Sequence, residues 1–65
     1  MVKVCIFNVS TRKTEYKKFR TEEDANLFFD TKYEKNKERL VCEPRDKFFT
    51  YYTYFGNKVM VQKMY

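Results

Sequence analysis

Histidine is absent from this 65-residue chain, and glycine, proline and serine occur once each. Without histidine the chain has neither the commonest general base nor the commonest metal ligand. A single glycine, Gly56, cannot build a glycine-rich phosphate loop. Ser10 is the sole serine and has no base beside it in sequence, so nothing activates it as a nucleophile. The two cysteines, Cys5 and Cys42, lack Cys-x-x-Cys spacing and cannot complete a four-ligand zinc site. They would form a disulfide only if their two segments were close neighbours, and the plainer reading is two buried thiols acting as small hydrophobes. These absences exclude most catalytic classes, and the expectation is a non-enzymatic protein with no metal and no cofactor.

Long apolar runs are also missing. Lys3 and Arg12 bracket only a short hydrophobic stretch, so there is neither a bilayer-spanning segment nor a signal-peptide pattern. The expectation is a soluble protein of the reducing cytoplasm, with no membrane partner.

What is present favours folding. Hydrophobic residues make up 43% and charged residues 35%, outside the range of disordered chains. A chain of this length makes one domain, 1–65, and buries only about 60% of its unfolded surface. The aromatic share of 20% lets few residues build a core. The net charge of +5 favours an anionic partner and argues against a nucleic-acid mimic, which would be acidic.

Val2 to Val9 reads as a strand with apolar residues on both faces, which places it inside a sheet. Val2, Val4 and Ile6 share one face; Lys3, Cys5, Phe7 and Val9 share the other. Thr14 to Arg20 reads as an edge strand, because three of its seven residues are basic. Thr21 is a suitable N-cap for a helix whose first turn holds Glu22, Glu23 and Asp24. Ala25, Phe28, Phe29 and Lys32 or Tyr33 form its apolar stripe, and the helix should end near Asn36. Leu27 points away from that stripe and is a candidate secondary contact. Leu40 to Glu43 reads as a short strand ended by Pro44, and Arg45-Asp46 turns the chain. The fold class expected is α+β, ββαβββ, an antiparallel sheet with one helix packed on one face.

More than half of the aromatic residues lie between Lys47 and Tyr65, where two β-rich runs flank Gly56-Asn57. A two-residue loop there predicts a tight hairpin pairing Phe55 with Lys58 and Tyr52 with Val61. One face would then carry Phe48, Thr50, Tyr52 and Tyr54 with Val59, Val61, Lys63 and Tyr65. The opposite face would carry Phe49, Tyr51, Thr53 and Phe55 with Lys58, Met60, Gln62 and Met64. Gln62 in mid-strand marks the second face as the outer one, since a buried unpaired amide costs ~1–3 kcal/mol.

On that register Phe49, Tyr51, Phe55, Lys58, Met60, Gln62 and Met64 form an exposed aromatic and thioether surface. Such a patch on a small protein marks an interface, and its residue types are those of interface centres. The leading expectation is a binding protein that engages and inhibits or redirects a larger protein with an acidic surface patch. In length and in its density of Lys, Tyr and Phe the chain is similar in general character to small phage accessory proteins. The alternative is single-stranded nucleic-acid binding, with bases stacked on the same rings and Lys17, Lys18, Lys47 and Lys58 against phosphates. A homodimer through the patch is the third reading.

Overall fold

Alternation of apolar residues along Val2–Asn8 makes β1, and the lysine-rich Lys13–Phe19 makes β2, its antiparallel neighbour. The computed structural model describes residues 1–41 and 47–65. Helix α1 spans Glu22–Asn36 and runs into a short 3-10 turn at Lys37–Arg39. The C-terminal hairpin consists of β3, Phe48–Tyr52, and β4, Lys58–Lys63. The four strands form one antiparallel sheet in the order β2-β1-β4-β3. The architecture is ββαββ, an α+β domain. Of the expected extra strand, Leu40 makes a single antiparallel bridge to Tyr51. Cys42, Glu43, Pro44, Arg45 and Asp46 lie outside the described residues.

Local chemistry explains the helix limits. The Thr21 hydroxyl accepts the Asp24 N–H at 3.1 Å, and the three acids of the first turn face the positive end of the helix dipole. At the other end, Asn36 leaves helical geometry and its side-chain amide donates back to the Lys32 carbonyl at 2.9 Å. Ala25 and Phe29 are buried against the sheet, with Phe28 and Tyr33 half-buried beside them. Leu27 stays exposed.

The central finding of the fold is the register of the C-terminal hairpin. Tyr52 pairs with Lys58, Tyr51 with Val59 and Phe49 with Val61. The loop is Tyr54-Phe55-Gly56, closed by the Thr53 N–H donating to the Asn57 carbonyl at 2.7 Å. The Gly56 N–H returns to the Thr53 carbonyl at 2.9 Å, and Gly56 has φ +83. This is a turn followed by a left-handed residue, the usual three-residue hairpin connection, and glycine adopts that φ without strain. The two-residue loop expected from Gly56-Asn57 is thereby corrected. Its pairing is offset by an odd number of residues, so every β3 side chain lies on the face opposite to that expected. The β4 assignment, with Val59 and Val61 inward, is unchanged.

Phe49 is consequently the centre of the core. It is fully buried at 0% exposure, with its ring edge-on to Phe29 at 5.0 Å and to Tyr33 at 5.6 Å between centroids. Tyr51, at 7% exposure, packs 6.0 Å from it. Val4, Val59 and Val61 complete the floor beneath α1. At the helix-side rim, Lys63 places its ammonium 4.7 Å from the Phe29 ring, and the Tyr65 hydroxyl donates to Asn26.

Two outcomes follow from this core. Phe49→Ala should cost ~3–5 kcal/mol in chemical denaturation, most of the ~3–10 kcal/mol a domain of this size possesses. An unchanged denaturation midpoint would contradict the register. Burial also pushes the Tyr51 hydroxyl above the usual 10.0, with the Arg39 charge opposing, and raises Tyr65 likewise, helped by Glu22 and Asp30. The unfolded chain therefore ionises these phenols first. Stability from burying them neutral is full below pH 10.0 and is lost as pH rises through the raised folded values. Thermal melts above that pH should show a falling midpoint, with a smaller fall in Tyr51→Phe.

Candidate functional site

The one helix lies on the face bearing Val4, Val59, Val61 and Phe49. The opposite face of the sheet carries no packed element among the described residues. Register and alternation assign its side chains: Thr14, Tyr16 and Lys18 from β2; Lys3, Cys5 and Phe7 from β1; Lys58, Met60 and Gln62 from β4; Phe48, Thr50 and Tyr52 from β3. Val9 and Met64 continue it, held by backbone bonds from Val9 N–H to the Lys58 carbonyl and from Met64 N–H to the Lys3 carbonyl.

These residues form rows across the strands. Tyr16, Cys5, Gln62 and Phe48 make one row; Thr14, Phe7, Met60 and Thr50 make the next. Beyond the first row stand Lys18 and Lys3, and beyond the second stand Lys58 and Tyr52. Rings and thioether therefore occupy the middle, with cations at both ends. Tyr16 is 56% exposed and Tyr52 45%, while Phe7, Phe48 and Met60 are half-buried. Cys5 and Thr50 are buried even here, as small side chains set among larger neighbours.

The charge pattern is as informative as the rings. No aspartate or glutamate belongs to this face among the described residues. Glu15 points to the helix side of β2, where it pairs with Lys17 at 2.8 Å. Glu22, Glu23, Asp24, Asp30 and Glu34 are on α1, and Glu38 is in the 3-10 turn. The open face of the sheet thus carries cations and no described acid, whereas the helix side carries both signs.

Each residue expected at the contact site can now be placed. Lys58, Met60 and Gln62 are on the open face, with Met64 at its margin. Phe49 and Tyr51 are not surface residues: the three-residue loop turns them into the core, which removes them from the expected patch. Phe55 is exposed, at 90%, but at the hairpin tip beside Tyr54, also 90% exposed. Of the lysines expected against phosphates, Lys18 and Lys58 lie on the open face. Lys17 is ion-paired on the helix side, and Lys47 takes the side of its partner Lys63, since the Lys63 N–H donates to the Lys47 carbonyl. The residues that sequence reasoning missed are Phe7, Tyr16, Phe48, Tyr52 and Lys3. For β3 the sequence holds no decisive signal, since Thr50 on one side is matched by Thr53 on the other.

On the helix side, α1 does not reach the end of the sheet where the hairpins turn. A shallow cavity of about 430 Å³ remains there, floored by Ile6, Val59 and Tyr51 and rimmed by Thr11 and Lys13. Among the described residues no group of three or more Cys, Asp or Glu could hold a metal ion, and no helix is long and apolar enough to cross a membrane. Comparison of the chain with protein-family models, with curated proteins and with solved structures found no match.

Proposed function

We propose that this protein binds single-stranded nucleic acid on its open sheet face. The observation that carries the reading is a face without acids on which Tyr16, Phe7, Phe48 and Tyr52 stand between Lys3 and Lys18 at one end and Lys58 at the other. Unstacked bases are flat, apolar and linked by anions, so they complement such a surface in both shape and charge. A four-stranded sheet with rings on one face has room for about two or three stacked bases. Stacking contributes ~1–3 kcal/mol per base, and the lysines bring the strand into register along the rows. No chemistry on the ligand is implied; the function is binding.

An acidic protein surface is the second reading. It is favoured by Met60 and Met64, since flexible thioethers adapt to irregular protein surfaces whereas bases stack on rings. That reading is the leading expectation from sequence; both readings rest there on Phe49 and Tyr51, which lie in the core.

The two readings separate by titration with a fluorescently labelled oligothymidylate. Binding is expected at micromolar protein in low salt, weakening with added salt at a logarithmic slope of about −2 for three neutralised phosphates. Tyr16→Ala and Tyr52→Ala should each weaken binding by roughly five- to a hundredfold, the stacking contribution of one base, without changing the thermal midpoint. No binding at micromolar protein would reject the reading, as would full affinity in both variants.

A further inference from the structure

Beyond the last pair of the C-terminal hairpin, Tyr52 and Lys58, the rings of Tyr54 and Phe55 project into solvent at 90% exposure each. They do not lie on a floppy loop. The Thr53 hydroxyl accepts the Asn57 N–H at 3.0 Å, adding to the two backbone bonds that close the turn around Gly56. The fold therefore presents two consecutive aromatic residues to water on a hydrogen-bonded turn, just past the Lys58 end of the open face. The β1–β2 turn lies at the same end of the sheet, tied to the hairpin by the Lys58 N–H donating to the Ser10 hydroxyl at 3.0 Å. It carries Arg12, with Lys13 opening β2 beside it, and neither turn contains an acidic residue.

Resting on the single-strand reading above, we propose that this tip stacks on a terminal base pair, so that the preferred ligand is a single strand emerging from a duplex. The exposed end of a duplex is a broad aromatic surface edged by two phosphate backbones. Two neighbouring rings match the surface, and Arg12, Lys13 and Lys58 match the backbones. Aromatic side chains stack on the faces of bases with little regard to sequence. The strand that leaves the duplex would then continue from Tyr52 and Lys58 along the rows of the sheet. The hydrogen-bonded turn limits the backbone entropy lost on stacking.

The test uses the full chain and three labelled probes: a DNA hairpin with a single-stranded overhang, the same hairpin with a blunt end, and the overhang alone. Anisotropy titration should give the overhang hairpin at least about tenfold tighter binding than the overhang alone, the value of one good stack. The blunt hairpin should bind weakest. The double substitution Tyr54→Ala, Phe55→Ala should erase the preference while leaving affinity for the free strand within about twofold; both side chains are exposed, so the thermal midpoint should not move. Equal affinity of the native protein for the overhang hairpin and the free strand would overturn the tip proposal and leave the sheet-face reading standing. Failure to bind any of the three probes would overturn both. Light scattering that shows a dimer dispersed by the double substitution would assign the tip to a second copy of the chain and overturn the proposal as well.

Discussion

Among the described elements, the one long connection joins the two edge strands of the sheet. Strands β2 and β3 are the outer strands, and the segment between them contains the single helix. Two short turns join the remaining pairs. An edge-to-edge crossing can be made over one face only, and whichever face it takes receives the whole of the available cover. The amphipathic stripe of α1 chooses the face with Val4, Val61 and Phe49, and Phe49 fills the space beneath Phe29 and Tyr33. Among the described residues, the bare opposite face is thus a topological consequence of one helix and four strands.

That one helix covers one face only was legible in the sequence; the strand order was not, and the residue-level content was legible only in part. The N-cap at Thr21, the acids that follow it, the end near Asn36, the interior position of β1 and the basic edge at β2 all arise from local chemistry, and local chemistry is what a sequence displays. The face of β4 was also readable, because Gln62 opposes Val59 and Val61 in polarity. The face of β3 was not. Phe48 and Tyr52 look as apolar as Phe49 and Tyr51, so the pattern left its inward side to be fixed by loop length. Gly56 supplies a positive φ equally well at the start of a two-residue loop or at the end of a three-residue loop. The choice between them inverts the strand. It moved the aromatic contact surface from Phe49 and Tyr51 to Phe48 and Tyr52, and joined these to Phe7 and Tyr16 across the sheet.

Charge follows the same division. Acids at a helix N-terminus stabilise the helix wherever it lies, and here the helix gathers most of the described acids on its own side. The sheet's outer side is left with lysines alone, and β2 gains protection as a strand edge from the same residues. Lysine on that face therefore has two roles at once: it discourages edge-to-edge pairing between copies, and it draws anions toward the rings. The net charge of +5 understates the effect, because the positive charges of the open face are not offset by neighbours.

A small domain leaves apolar rings exposed at a cost in solubility and gains no core stability from them, so their placement needs a cause. Crowding explains Phe7 and Phe48, which are half-buried among neighbours and help shield Cys5 and Thr50. It does not explain Tyr54 and Phe55. A three-residue loop could be closed as well by polar residues, since Thr53, Gly56 and Asn57 make every bond that holds it. The turn geometry requires nothing of the two rings, and the core gains nothing from them. On the proposed reading their cause lies outside the molecule, at the flat end of a duplex, and the cations beside them suit the phosphates that border it.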